Sequence, residues 1–311
     1  MRKGRLVPYT MLAPFFILFL GFFVYPFFYA FYLSMYATRM GANQFVGLNN
    51  YLIALTDSEF WHSITTVLYF GVLQAVSVLL VGLILALFLD SSLVKGKAFF
   101  RLVYFLPYAV PGVIAALMWG FLYSPQLDPL LRVFSLFDAG KPVNVLSSSS
   151  LLYSIVNIVT WEWAGYNMTL YFAALTALPI ELYEAAKIDG CNEWRLAVLI
   201  KVPLLRPMIL FTSILSIIGS MQLFNEPFIL SNLTAVPPNY TPNLYIYNMA
   251  FSYGNLNYSA ALSFLLAFVT FVASMLFLYF TSGEQRREKR AARKQRKAMR
   301  QLGTEKVGIQ S

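Results

Sequence analysis

The chain of 311 residues has one cysteine, Cys191, and one histidine, His62, and only 12% of its residues are charged. A single thiol excludes an intrachain disulfide, and one thiol with one imidazole leaves little from which to build a metal site or a nucleophile–base pair. No G-x-x-x-x-G-K-[ST] is present: Ala139-Gly140-Lys141 lacks the upstream glycine, so the chain has no phosphate cradle of its own. Internal repeats and low-complexity segments are also missing. The net charge of +9 lies mostly in one run, RREKRAARKQRK, near the C-terminus. No aromatic stacking platform accompanies that run, which argues against nucleic acid and for contact with anionic membrane lipid.

What is abundant is apolar surface. Hydrophobic residues make up 59% of the chain and aromatics 17%, more than a soluble domain of this size can bury. A helix needs about 20 mainly apolar residues to cross a bilayer. Such stretches occur at about 11–36, 64–90, 102–123, 151–178, 207–230 and 258–281, each continuously apolar rather than alternating, which disfavours a barrel. The expected fold is therefore all-α, a polytopic membrane protein of six transmembrane helices. Lys and Arg are retained on the cytoplasmic side. Twenty of the 23 fall in one set of segments, leaving only Arg39, Arg132 and Lys141 on the other side. That distribution puts both termini in the cytosol, with a short N-terminal segment 1–10, a permeation domain 11–281 and a basic tail 282–311. The N-terminal apolar run is about twice the length of a signal-peptide core and lacks a small-x-small site, so it is expected to remain as the first span.

Along the chain, Pro14 suits the first turn of span one, whereas Pro26 should kink it. The segment 45–51, FVGLNNY, reads as a turn at Gly47 and Asn49, followed by FWHSITT at 60–66. Span three carries Leu106-Pro107 and Val110-Pro111, which must free backbone carbonyls. Span four holds WEWAGYN at 161–167. The loop at 231–257 has no Asp, Glu, His, Lys or Arg.

One segment stands apart. Residues 179–206 form a polar, Gly-punctuated insert between two apolar stretches. Pro179 suits a first helical position, Glu181 and Glu184 lie near the positive end of the dipole, and Gly190 can take a left-handed stop. Asn192 can cap a second helix ending before Pro203. Leu182, Ala185, Ala186 and Asp189 are spaced to share one face. The result is a helix-turn-helix protruding on the cytosolic side.

This insert resembles the EAA loop of ABC-importer permease subunits, E-A-A, three residues, Gly, nine residues, I-x-L-P. Glu184, Ala185, Ala186, Gly190, Ile200 and Pro203 fall in register, and Val202 replaces the usual Leu. The stretches at 45–51, 60–66, 106–111, 161–167 and 231–257 are similar to carbohydrate-type importer permeases; at Ser124-Pro125-Gln126 the chain departs from the usual Gly-containing turn. The resemblance implies a binding-protein-dependent importer subunit. Glu184, Ala185, Ala186, Asp189, Gly190, Ile200 and Pro203 would dock an ATP-binding cassette ATPase dimer, which binds and hydrolyses the ATP. A second, homologous permease and an extracytoplasmic solute-binding protein would complete the assembly. No cofactor, bound metal or chemistry on the solute is expected.

Glu162 and Glu226 fall inside spans, where a lipid-facing carboxylate costs about 2.5–3.5 kcal/mol, so both should face protein or water. In MQLFNEPF, Pro227 is expected to break the helix, leaving Gln222, Asn225 and Glu226 as groups that can bond sugar hydroxyls. In maltose-type permeases the related stretch lines the pore. Gln222, Asn225, Glu226 and Trp161 are therefore the candidate substrate path for a carbohydrate. Packing between helices is an alternative role for the amides, and interfacial packing for Trp161 and Trp163. The competing functions are an autonomous carrier or channel, which calls for intramembrane charge pairs or broken helices in corresponding halves, and a membrane-embedded hydrolase. Neither signature is evident in the sequence.

Overall fold

A computed structural model describes residues 7–39, 42–124 and 144–280. The basic tail, Arg132, Lys141, Pro125 and Gln126 lie outside the described residues. Among the described residues the strands form one hairpin, β1 (Tyr36–Arg39) and β2 (Ala42–Phe45), antiparallel with Tyr36 opposite Phe45, and the other elements are helices.

Helix α1 (Tyr9–Ser34) opens the described chain, and no side chain before Ser34 is buried along it. Only hydrocarbon, or another protein's apolar surface, suits such a helix. Phe27 and Phe31 touch Phe264 edge-on at 5.2 and 5.5 Å. Pro26 follows a π turn at Leu20–Val24, and the wider turn accommodates its missing N–H.

The turn at 45–51 is built on Gly47, whose φ of 58° favours glycine. It leads into a short helix, α2 (Asn49–Thr56). Buried Asn50 donates to the carbonyls of Ser34 and Tyr36, both at 2.8 Å, and the hydroxyls of Ser34 and Tyr51 pair at 2.7 Å. The FVGLNNY segment thus ties the end of α1 to α2.

Helix α3 (Ser58–Asp90) is 33 residues long and begins ahead of the apolar stretch, because Asp57 caps it by accepting from the amides of Glu59 (3.0 Å) and Phe60 (3.2 Å). The other Asp57 oxygen accepts from Tyr245 (2.9 Å) and Tyr258 (2.6 Å), so one carboxylate joins three elements.

The third apolar stretch is broken. Helix α4 (Lys97–Ala109) and α5 (Gly112–Leu122) meet at 95°. Pro111 forces Val110 out of the helical region, to ψ 127°, and withholds an amide donor, so the chain turns instead of kinking.

Helix α6 (Leu151–Thr176) is the most enclosed. Its inward side packs on α3 and on α9 (Val202–Met221) through Ile155, Ile158, Met168, Tyr171 and Leu175. Tyr171 and Thr212 share a 2.6 Å hydrogen bond across that interface. A Cβ on Gly165 would fall 2.7 Å from the carbonyl carbon of Tyr104, so glycine is what lets α4 and α6 touch.

After α7 (Ile180–Ile188) the chain enters α8 (Glu193–Leu196), then a π turn at Ala197–Lys201 that runs directly into α9. Pro203 therefore does not end a separate helix as the sequence suggests; it occupies the first turn of α9 behind the π turn, where its missing N–H costs little. Pro227 likewise does not break its helix. The break lies at 222–224, and Pro227 sits in the first turn of α10 (Asn225–Leu230). A last pair, α11 (Pro242–Tyr247) and α12 (Leu256–Phe280), returns the chain along α1 and α3.

Among the described residues four helices are long and apolar enough to cross a membrane: α1, α3, Glu193–Leu230 and α12; the bent α4–α5 pair makes a fifth. Helix α6 has the length, about 39 Å at 1.5 Å per residue. Its one ionised side chain is turned inward: Glu162 is buried along it, as is Asn167.

Candidate functional site: a polar cavity and an exposed hairpin

A cavity of about 580 Å³ opens where α3, α6, α9 and α10 surround the α4–α5 bend. One wall is aromatic. Tyr108 stacks on Tyr166 at 4.8 Å and meets Trp163 edge-on at 5.2 Å. Tyr108 lies between the two prolines, so the bend is what presents it.

The opposite walls are polar. Gln74 is buried in the middle of α3, and its Oε1 accepts from Ser220 of α9 at 3.3 Å. Asn167 donates to the Trp163 carbonyl at 3.0 Å, while its own Oδ1 has no hydrogen-bond partner. From the break at 222–224 come Gln222 and Asn225, both exposed, and Glu226, which is 7% exposed. Glu162 on α6 is 5% exposed, and its Oε1 has no partner. The point that a Cβ on Gly112 would occupy lies 3.7 Å from Glu162 Oε1, 3.7 Å from Glu226 Oε1 and 3.3 Å from Asn225 Nδ2. Glycine at the start of α5 therefore leaves open the space where these three groups converge.

Of the four substrate-path residues named from sequence, the structure brings Gln222, Asn225 and Glu226 to the cavity and leaves Trp161 out. Two residues along a helix is a rotation of about 200°, so Trp161 and Trp163 face nearly opposite ways. Trp161 packs edge-on against Trp119 at 5.9 Å, and Trp163 takes the cavity position. Sequence reading also missed Gln74, Tyr108, Tyr166 and Asn167. Gln74 had a usable signal, an amide isolated in an apolar run, whereas Tyr108 had none without the bend.

The hairpin of α7 and α8 is the second site. Gly190, with φ of 80°, closes α7: its amide bonds the Lys187 carbonyl and the Cys191 amide reaches back to Ala186, each at 3.0 Å. Asn192 caps α8 by accepting from the Arg195 amide at 2.8 Å. Pro179 stands one residue before α7. Glu184, Ala185 and Asp189 are exposed together with Leu182, but Ala186 is buried and does not share their face, because α7 lies down on its Ala186 side. Pro203 is exposed and Ile200 is half-buried. The hairpin also exposes large apolar side chains, Ile188 at 86% and Trp194 at 75%.

The hairpin is anchored beneath. Lys201 Nζ lies 2.7 Å from Asp90 Oδ2 at the end of α3 and 5.3 Å from the centre of the Tyr183 ring. The Tyr183 hydroxyl donates to the Leu175 carbonyl at 3.3 Å. Burial first, and then the Asp90 charge, raises the Tyr183 hydroxyl above its ordinary range, which keeps it a neutral donor. Thus α7 is tied to the ends of both α3 and α6.

Known proteins resemble this chain in sequence and fold. Residues 78–284 match the family described as binding-protein-dependent transport system inner membrane component. The lactose transport system permease protein LacF of Rhizobium radiobacter is 32% identical, covering 90% of this chain and 94% of that protein. The trehalose/maltose transport system permease protein MalF of Thermococcus litoralis is 30% identical over the same shares. A crystal structure of a bacterial ABC transporter involved in alginate import has the same fold, with a TM-score of 0.77 at 21% identity, covering 90% of this chain and 96% of that one. The chain is therefore a member of the inner membrane components of binding-protein-dependent transport systems, a multi-pass membrane protein and not an enzyme.

Proposed function

We propose that the chain is the permease subunit of an ATP-driven importer that passes a carbohydrate through the cavity between α3, α6, α9 and α10. The observation that carries this reading is the cavity itself: amides, hydroxyls and carboxylates facing an aromatic wall, inside a bundle whose outer surface is apolar. Sugars need both kinds of contact, hydroxyls bonded by amides and carboxylates and ring faces laid on aromatics. The relatives include permease proteins of lactose and trehalose/maltose transport systems, which supports a carbohydrate. The alginate importer has also been crystallised with an alginate pentasaccharide-bound periplasmic protein, which supports delivery by such a receptor.

In this reading the α7–α8 hairpin enters a cleft of a separate ATPase subunit on the cytosolic side. Its exposed Ile188 and Trp194 are apolar surface that a partner would cover. A homologous permease would supply the rest of the pathway, with α1 offering it apolar surface. ATP-driven closure of the ATPase pair would then move α7. Through Tyr183, Lys201 and Asp90 it would also move the ends of α3 and α6, so that the cavity opens alternately to the two sides.

The test is uptake in proteoliposomes holding the complete importer and its receptor. Gly190→Pro, which cannot adopt φ of 80°, and Ala185→Trp on the exposed face should leave the chain in the membrane and abolish ATP-dependent uptake. Normal uptake in both variants, or full-rate transport by this chain with no ATPase present, would overturn the reading.

A further inference from the structure

Two carboxylates converge at the cavity with no cation among its lining residues. Glu162 and Glu226 are each more than nine-tenths buried, and their Oε1 atoms each lie 3.7 Å from the open position above Gly112, so the two oxygens are no more than twice that distance apart. Like charges this close, withdrawn from water, repel strongly and each carries its own desolvation cost. The compensation present is partial. The first turns of α5 and α10 offer fractional positive charge and Asn225 Nδ2 lies near the same open position, but no full cation does so and Glu162 Oε1 accepts no hydrogen bond.

Two further observations in the same cavity point to a ligand. Asn167 Oδ1 is a second buried acceptor without a donor on the cavity wall, and it comes from a different turn of α6. The rings of Tyr108, Trp163 and Tyr166 line the same cavity, and aromatic π faces attract cations and disfavour anions. The donor set does not suit a metal ion: among the described residues no third Asp, Glu, His or Cys joins the pair. Unpartnered acceptors, negative charge without a countercation and an aromatic wall together match an organic ammonium group.

Building on the reading of the cavity as the solute path, we propose that the Glu162–Glu226 pair receives a positively charged group carried by the solute. The transported class is then amine-bearing sugars, and anionic sugars are turned back at this point. The protonated amine would donate to both carboxylates and sit against the Trp163 and Tyr108 rings, replacing the missing countercharge. A hydroxyl at the same position could satisfy one acceptor but leaves the charge unbalanced.

The experiment uses the purified complete importer without its receptor, titrated with glucosamine, glucose and glucuronate while tryptophan fluorescence is followed; Trp163→Phe identifies which part of the signal comes from the cavity. The expected result is saturable quenching by glucosamine at a concentration about tenfold lower than by glucose, and none by glucuronate. Glu162→Gln and Glu226→Gln should each bring the glucosamine and glucose responses to about the same concentration, so that the tenfold preference is lost. Equal responses to glucosamine and glucose would overturn the charge assignment and leave the solute-path reading standing. Displacement of glucosamine by sodium or calcium ions at millimolar concentration would also overturn it, in favour of an inorganic cation. No Trp163-dependent response to any sugar would overturn the solute-path reading and this proposal with it.

Discussion

Replacing Lys201 by Met removes one half of a buried ion pair. Lys201 is 5% exposed, and its partner Asp90 keeps a side-chain exposure of 14% with oxygen and nitrogen 2.7 Å apart. Deleting one member of such a pair leaves an unneutralised buried charge and costs about 3–5 kcal/mol. Lys97 lies close by, donating to the Asp90 carbonyl at 3.2 Å, and its ammonium can partly replace the lost charge, so the lower end applies. About 3 kcal/mol corresponds to an apparent midpoint lower by at most roughly 6–12 °C, taking the ~2–4 °C per kcal/mol of domains of about 150–250 residues as the upper bound for this longer chain. The assay is thermal unfolding of the detergent-purified importer, paired with ATP hydrolysis and uptake measured on the same preparation. Asp90→Asn alone should cost a similar amount. The double variant should recover much of the loss, since no charge is then stranded, yet its uptake per ATP hydrolysed should stay low because α7 is no longer tied to α3. Additive single effects, or a double variant with normal uptake per ATP, would refute the argument that this pair is both a buried charge match and a mechanical tie.

Gly165→Ala should prevent α4 from seating on α6, with a loss of stability above the usual overpacking range of about 1–3 kcal/mol because the obstacle is the Tyr104 backbone; the same change at Gly21, which meets nothing within 4 Å, should leave yield and melting unaltered. Asp57→Ala removes a helix cap and the acceptor for Tyr245 and Tyr258, a loss of about 2–4 kcal/mol visible as a lower unfolding midpoint. Trp163→Ala should raise the apparent KM for uptake at unchanged assembly, whereas Trp161→Ala should lower stability and leave KM alone; the opposite pattern would reinstate Trp161 on the path. Asn225→Ala and Gln222→Ala should weaken or alter solute selection without loss of assembled importer, and lost assembly would instead assign both amides to packing.

The features legible in the residues are those carried by local chemistry. Long apolar runs specify helices that lipid can surround, because the backbone must satisfy its own hydrogen bonds there whatever its neighbours are. Gly190, Asn192 and Gly47 announced their turns through conformational preference alone, and the stop and cap at the α7–α8 hairpin are where their residue types put them. The polar run at 222–226 was equally readable as a place where the membrane interior turns hydrophilic.

Rotation and convergence were another matter. Which of Trp161 and Trp163 meets the cavity depends on how α6 is turned against α3, and hydropathy does not record that angle. Prolines mark where a helix is weakened but not how the backbone responds: Pro111 produces a 95° bend, while Pro26 and Pro203 are absorbed by π turns. Ala186 turned inward and Lys201 found Asp90 because a short amphipathic helix settles on whichever surface the bundle offers. The meeting of Glu162 with Glu226 likewise belongs to the tertiary structure, since transfer free energies act residue by residue while the field at a cavity sums over groups that the chain brings together only when its helices pack.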